Sequence, residues 1–288
     1  MMSVSSQVPS QSSDLWTLFH ERSHLRVSDG AVVPLLKDSE SAPYLLVLLW
    51  PQLGDFDSLE YAWWLQRDAQ RLQDLGVAVR AIGIGDRNSG QRFCTYTGFP
   101  ADCLWVDPTA SLHQQLSLYP GLSLKPPGLS TAQRAWLNLL LMCAGIGSPG
   151  TLAEVFRGYR GDRQAPQLIG DDQVVHAAPL PPLRGSWFQW AGGQGFQRPF
   201  ELATLRLRNM AEALGHWTTY VPKADYLTQR GATFLFDAQG HLLYEHRDRA
   251  ILGCSETMSN PLDFLSAVSM NQADSGVAES HTGCAQEP

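Results

Sequence analysis

The sequence predicts an α/β fold in which a mixed β-sheet is flanked by helices. Three features predict it: an early strand–helix–strand unit, further alternation of strands and helices, and a β-hairpin followed by a helix late in the chain. Strands joined through a helix run parallel, whereas strands joined by a tight turn run antiparallel, so the sheet contains both arrangements. The chain has 288 residues, of which 44% are hydrophobic, and this suffices for a sizeable core.

The early unit is visible as a change in hydrophobic pattern. Residues 44–50 (YLLVLLW) form an uninterrupted apolar run, which is typical of a strand buried on both faces. Residues 59–75 place leucine and alanine at helical spacing, and Gly76 suits the left-handed conformation that often follows a helix. Residues 77–85 form the second strand. Ahead of this unit, residues 14–25 place apolar side chains on one helical face and predict a helix.

The rest of the chain completes the sheet and adds a long insertion. Residues 119–200 are rich in proline and glycine and are interpreted as an insertion packed on the sheet before the last hairpin. The element order is that of a thioredoxin-like fold, predicted over 13–269 between mobile tails at 1–12 and 270–288. The other predicted elements are helices at 89–97, 109–118, 131–144, 151–159, 199–214 and 261–268 (the last capped by Asn260), a strand at 103–107, and a hairpin of 232–236 and 241–246.

The composition argues against some classes of function and favours binding to a protein partner. A formal net charge of −7 argues against nucleic-acid binding, and charged residues make up only 17% of a chain that has 9 tryptophans. Such a surface is expected to have apolar patches for a protein partner. The longest apolar run, 135–147, is too short to span a membrane, although peripheral association is left open. The N-terminus lacks the features of a secretory signal, so a cytoplasmic location is expected.

Three segments resemble one protein family. They are RFCTYTGFPADCLWVDPTASLHQQL at 92–116, GTLAEVFRGYRGDRQAP at 150–166, and TQRGATFLFDAQGHLLYEHRDR at 228–249. Together they resemble the AhpC/TSA antioxidant, or peroxiredoxin-like, family of the thioredoxin-fold superfamily, and in particular a branch from photosynthetic lineages. The resemblance covers roughly 30–255. It implies a thiol-dependent antioxidant activity, with the reactive cysteines in the loop after the first central strand.

That implied site lies at 50–58, where relatives of this type carry Cys-x-x-Cys at the start of a helix. The helix N-terminus stabilises the thiolate of such a cysteine. Here the two positions hold Gly54 and Asp57, and no cysteine occurs between residues 1 and 93. Asp57 followed by Glu60 is similar to a capping box, so Asp57 is expected to cap the following helix. The resemblance is therefore expected to extend to the fold and not to this catalytic pair.

The remaining cysteines offer an alternative. Cys94 falls where the family often has a cysteine, and Cys254 follows the hairpin, so these two are the candidate redox residues. The competing interpretation of Cys94 is a small buried hydrophobic residue. Cys103 and Cys143 are expected to be inert in apolar elements, and Cys284 lies in the predicted tail.

No cofactor or metal is expected. His20 and His24 match the HExxH zinc motif, but no third ligand motif follows, so the match is attributed to chance. The leading hypothesis is a non-catalytic binding or assembly factor, with a thiol-dependent antioxidant enzyme as the alternative and a small-molecule site as a third class. Candidate binding residues are Trp50, Asp57 and Arg230 near the vacated loop and Trp187 and Trp190 in the insertion.

Overall fold

A mixed β-sheet forms the centre of the protein. The computed structural model describes residues 12–39, 41–147, 150–162, 166–177, 179–191 and 199–268, so the predicted tails lie outside it apart from residue 12. The described strands are β1 (Ser23–Arg26), β2 (Val32–Pro34), β3 (Tyr44–Gln52), β4 (Val77–Ile84), β5 (Leu104–Val106), β6 (Val174–Val175), β7 (Leu183–Arg184), β8 (Ala232–Asp237) and β9 (Leu242–Arg247).

Helices cover both faces of this sheet. The described helices are α1 (Ser12–Glu21), α2 (Phe56–Arg67), α3 (Ala69–Asp74), α4 (Arg87–Thr97), α5 (Ser111–Gln115), α6 (Thr131–Cys143), α7 (Thr151–Arg160), α8 (Pro199–Gly215) and α9 (Trp217–Tyr220), with 3-10 helices at Ala101–Cys103, Gly185–Ala191 and Ala224–Tyr226. No helix among the described residues is long and apolar enough to cross a membrane.

The strand order of the main sheet is β2-β1-β5-β4-β3-β8-β9. Strand β3 runs parallel to β4 and antiparallel to β8, and β8 forms a hairpin with β9. The thioredoxin-like α/β fold predicted from the sequence is thus confirmed, with the strand–helix–strand unit and the hairpin side by side at its centre.

The position of strand β3 between two covered faces of the sheet explains why its sequence is uniformly apolar. Its side chains alternate between two hydrophobic clusters, one on each face of the sheet. Leu46 and Leu48 join the cluster on the side of α2, whereas Leu45, Val47 and Leu49 join the cluster that contains residues of α1. Since both faces are covered, neither set of alternating residues contacts solvent.

Two predicted helices differ from the observed ones. The helix predicted at 14–25 ends at Glu21, because His24 and Leu25 belong to strand β1, which pairs with the edge strand β2 on one side and with β5 on the other. The helix predicted at 59–75 begins at Phe56 and is interrupted at Asp68, where α2 ends and α3 follows. The left-handed conformation predicted for the glycine after α3 is present at Gly76 (φ 68°).

The closing helix is shorter than predicted. Residues 261–264 form turns, and only 265–268 are helical. The side chain of Asn260 donates to the carboxylate of Asp263 (3.2 Å), so it is engaged away from the helix start that it was expected to cap.

The insertion packs mainly against other helices. Helix α7 contacts α8, and α6 contacts the 3-10 helix Ala224–Tyr226. The start of the insertion is joined to the segment before β8, because the backbone N–H of Arg230 donates to the carbonyl of Tyr119 (2.9 Å). The insertion therefore lies over the end of the sheet where β3 meets α2.

Candidate functional site

The loop between β3 and α2 lies beyond the carboxyl end of a parallel strand, the usual position of sites in open α/β sheets. Asp55 is the N-cap of α2: its backbone is extended (φ −71°, ψ 149°), and its side chain accepts the N–H of Asp57 (2.9 Å). A capping carboxylate satisfies one of the free N–H groups at a helix start and interacts favourably with the helix dipole.

The prediction that Asp57 caps this helix is wrong. Asp57 lies inside the first turn and is fully buried. The expected capping box does not form either, because the carboxylate of Glu60 accepts from Arg206 (3.1 Å). Asp55 takes the capping role since it precedes the first helical residue, and Asp57 is left free to face inwards.

The inward-facing Asp57 meets a buried arginine. Arg230 donates to Asp55 Oδ2 at 2.6 Å and to Asp57 Oδ2 at 3.4 Å, and its Nε donates to the carbonyl of Thr228 at 3.3 Å. The side chains of Arg230 and Asp57 have no exposed surface. Asp57 Oδ2 also accepts the N–H of Gly253 (3.3 Å), whereas Asp57 Oδ1 has no hydrogen-bond partner among the described residues. The structure thus places in direct contact two of the three residues that the sequence analysis assigned to this loop as binding candidates.

A third carboxylate completes the group. Asp248 is buried, and its Oδ2 accepts the N–H of Gly231 (3.1 Å), the residue after Arg230. We call Asp55, Asp57, Asp248 and Arg230 the acidic cluster. Nothing among the described residues arranges three histidine, cysteine or carboxylate side chains so as to hold a metal ion.

The acidic cluster shifts the pKa of its members. Burial and the neighbouring Asp55 raise the pKa of Asp57 from 3.8 to about 7, against the opposing effect of Arg230. Burial and Asp57 raise the pKa of Asp248 well above its ordinary value. For Arg230, burial acts to lower the pKa, but the carboxylates of Asp55 and Asp57 outweigh it and raise the pKa. Arg230 therefore stays charged, while Asp57 changes charge near neutral pH.

The space beside Gly54, in the same loop, is filled by a neighbouring side chain. A Cβ placed on Gly54 would lie 2.7 Å from Cβ of Tyr220 in α9, closer than real Cβ contacts. Tyr220 is itself fixed, because its hydroxyl donates to Glu212 (3.0 Å), and Glu212 accepts two hydrogen bonds from Arg92 (2.6 and 2.7 Å). A cysteine side chain at position 54 therefore has no room.

Neither candidate redox cysteine lies in an activating environment. Cys94 is half-buried near the C-terminal end of α4, and burial together with nearby Cys103 raises its pKa to about 12. Cys254 is buried with its Sγ 3.7 Å from Sδ of Met258, and burial followed by Asp57 and Asp248 raises its pKa well above the ordinary value. A raised pKa disfavours the thiolate, which is the nucleophilic form. Cys284 lies outside the described residues.

Sequence analysis missed a cavity above the loop. It has a volume of about 220 Å³ and lies between the loop residues Gly54, Asp55 and Phe56 and the apolar sides of α6, α8 and α9. Cys143, expected to be inert in an apolar helix, lines this cavity. The signal that could have revealed it is the spacing of Trp136, Leu139, Leu140 and Cys143, which puts them on one face of α6.

Two further sequence candidates lie elsewhere. Trp50 is part of the core: its ring packs on Phe93 and Phe99 (5.1 and 5.0 Å between centroids), and its carbonyl contacts Nε2 of His113 (2.9 Å). It ends the apolar run 44–50, but β3 continues to Gln52, and the alternation of side chains along the strand places the ring of Trp50 in the same cluster as Leu46 and Leu48. The HExxH match spans two elements, since His20 is in α1 and His24 in β1.

Trp187 and Trp190 are exposed. They lie in the 3-10 helix Gly185–Ala191, which packs on α8, and their exposed fractions are 50% and 92%. The described residues leave about half of Trp187 and almost all of Trp190 exposed, in contrast with the buried Trp50.

Comparison with known proteins gives one match. A sequence model of the family described as AhpC/TSA antioxidant enzyme matches residues 64–250, more than half of the chain. The match begins inside α2, so the loop with Gly54 and Asp57 precedes the first matched residue. No curated protein matches the chain.

The close contact at Gly54 generates a stability prediction. Gly54→Ala should lower the free energy of unfolding by about 1–3 kcal/mol, because the added methyl group overlaps Tyr220. Gly215→Ala is the matched control, since nothing lies within 4 Å of a Cβ at that position. Urea denaturation of both variants measures the difference. Equal stability of Gly54→Ala and wild type would show that position 54 is open.

The raised pKa of Asp57 generates a pH prediction. Between pH 4 and 7 the folded protein binds a proton that the unfolded chain does not, so this residue's contribution to stability is full below pH 4 and is lost as the pH rises through 7. Asp57→Asn should therefore gain about 2 kcal/mol relative to wild type between pH 5 and pH 8. Urea denaturation at the two pH values measures it. A difference between the two proteins that does not change with pH contradicts the buried, titrating carboxyl group.

Proposed function

The chain belongs to the AhpC/TSA antioxidant enzyme family, and we propose that it is a non-catalytic member that acts by binding another protein. The observation that carries this proposal is the buried Asp57–Arg230 pair at the position of the second family cysteine. Family membership supplies the fold, and a fold can persist while its site changes.

The chemistry of the loop supports the non-catalytic part. Thiol peroxidases reduce peroxide through a cysteine sulfenic acid, which neither the glycine nor the aspartate can form. The N-terminus of α2, which would stabilise a thiolate, is occupied by the side chain of Asp55. The carboxylates of Asp57 and Asp248 further disfavour a second negative charge at this end of the sheet, as the raised pKa of Cys254 illustrates.

The surface supports the binding part. Large exposed apolar side chains concentrate on the insertion and α8. Several of them are aromatic, and aromatic residues are enriched at protein interfaces. We define the insertion face as the exposed residues Trp136, Leu140, Leu152, Phe156, Tyr159, Trp187, Trp190, Phe200, Met210 and Leu214. With a predicted cytoplasmic location, the proposed partner is a cytoplasmic protein that packs an apolar surface against this face.

One observation favours a second candidate function, a thiol-dependent antioxidant enzyme. Cys143 lines the cavity above Gly54 and Asp55, so a thiol does stand over the family's usual site. Burial, followed by Asp55, raises the pKa of Cys143, whereas Arg230 acts in the opposite direction. The environment as a whole therefore disfavours the thiolate.

Peroxide reduction distinguishes the two functions. With dithiothreitol as reductant, wild-type protein should consume hydrogen peroxide no faster than the variant with Cys94, Cys143 and Cys254 all replaced by serine. The reason is that each of these thiols has a raised pKa. Turnover by wild type that is lost in the single variant Cys143→Ser would establish the enzyme and refute the non-catalytic proposal.

Partner capture tests the insertion face. The double variant Trp187→Ala, Trp190→Ala should lose a protein that wild type captures from the native host, with circular dichroism unchanged because both rings are exposed. Leu243→Ala is the matched control, since Leu243 is exposed on β9 outside the insertion. A partner captured equally by wild type and the tryptophan variant would place the interface elsewhere.

A further inference from the structure

A second, larger cleft lies away from the vacated loop. Its volume is about 600 Å³, and its walls are α2, the C-terminal end of α4, α8 and the insertion segment 167–173. This volume falls within the range of small-molecule sites, roughly 300–1,000 Å³. None of its lining residues lines the cavity above Gly54.

Two arginines in this cleft lack a carboxylate partner. Arg67 of α2 lies over the ring of Trp64 (5.1 Å to the centroid), and Arg208 of α8 lies over the ring of Tyr96 (4.9 Å). Neither forms an ion pair with a described carboxylate, in contrast with Arg92 and Arg206, which pair with Glu212 and Glu60. Partial burial lowers the pKa of Arg67, against the opposing effects of Asp68 and Glu201.

The other lining groups fit an anion as well. No aspartate or glutamate lines the cleft, although the whole chain carries a net charge of −7. Trp63 also lines it, and the indole Nε1–H of this residue is a buried donor without a hydrogen-bond partner among the described residues. A local excess of positive charge and free donors attracts anions even on an acidic protein.

The remaining wall combines neutral polar residues, such as Gln66, with an apolar part. Leu59, Leu168 and Leu205 line the cleft beside the arginines. The hydroxyl of Tyr96 donates to Asn209 (2.9 Å), and this hydrogen bond fixes the position of the ring. The guanidinium of Arg208 therefore stacks on a ring whose position is fixed. A ligand that filled the cleft would thus present a charged group to the arginines and an apolar group to the leucines.

We propose that this cleft binds a small organic anion, a carboxylate or phosphate attached to an aromatic or apolar group. The planar guanidinium groups offer paired N–H donors that match both carboxylate and phosphate oxygens. This site is independent of the proposed protein-binding function, because it involves neither the acidic cluster nor the insertion face.

Isothermal titration calorimetry with three matched probes tests the site. The probes are 1-naphthoate, 1-naphthyl phosphate and the neutral 1-naphthalenemethanol, which share one ring system. At least one anion should bind about tenfold more tightly than the alcohol, and its affinity should fall with rising salt. The double variant Arg67→Gln, Arg208→Gln should weaken anion binding by about tenfold or more. Arg160→Gln is the matched control, because Arg160 also lies over an aromatic ring, that of Phe156, but outside the cleft.

The two anions also separate the ligand classes. Binding of naphthoate alone identifies a carboxylate site, and binding of the phosphate alone or of both identifies a phosphate-tolerant site. Three results would overturn the proposal: no anion binding up to about 10 mM, alcohol binding equal to that of the anions, or unchanged binding to the folded double variant. If the double variant does not fold, the single variant Arg208→Lys replaces it in the titration. Lysine keeps the positive charge but lacks the planar guanidinium group with its paired N–H donors.

Discussion

A single buried guanidinium joins the parts of the chain that meet at the end of the sheet. Arg230 holds Asp55 and Asp57 at the start of α2, and its backbone N–H binds the start of the insertion through Tyr119. Gly253 reaches the same cluster through Asp57. Buried ions lose their hydration, so such a pair is tolerated only when surrounding polar groups replace the lost water. The positions of α2, β8, the insertion and the segment after β9 consequently depend on one another.

This constraint determines which negative charge the N-terminus of α2 stabilises in this chain. In a thioredoxin-like fold the helix after the first central strand activates a cysteine, because its N-terminal N–H groups favour a negative charge. Here the same N-terminus holds Asp55, and the negative charge of Asp55 is balanced by Arg230. Tyr220 fills the space at Gly54. The N-terminus of α2 still favours a negative charge, but this charge is the carboxylate of Asp55, which stabilises the helix.

The sequence was sufficient for the central strands of the sheet and insufficient for β1, β2 and the site. The apolar run of β3, the turn at Gly76 and the hairpin are local patterns with one reasonable interpretation, and the structure contains all three. Asp55 and Asp57 are two residues apart and have the same capping preference, so only the observed start of α2 separates their roles.

Contacts between distant residues account for the other differences. Asp57 and Arg230 were both recognised as candidates, but they are 173 positions apart, and no local pattern indicates that they form an ion pair. Strand β1 at His24 and Leu25 exists because β2 and β5 supply backbone partners on its two sides, which a helical pattern cannot reveal. The two cavities depend on how the insertion folds back over α8, which proline and glycine content alone does not determine.

The most direct test of the central role of Arg230 is a double-mutant cycle with Asp55, measured as free energies of unfolding in urea at pH 7. Arg230→Met should cost about 3–5 kcal/mol, because it leaves carboxylates buried without a counter-ion, and adding Asp55→Asn should recover part of that loss. Arg230→Lys replaces Arg230→Met in the cycle if the latter does not fold. A coupling energy of about 2 kcal/mol or more supports the ion pair as the interaction that holds the loop between β3 and α2 in place. Additive effects within about 0.5 kcal/mol would contradict it.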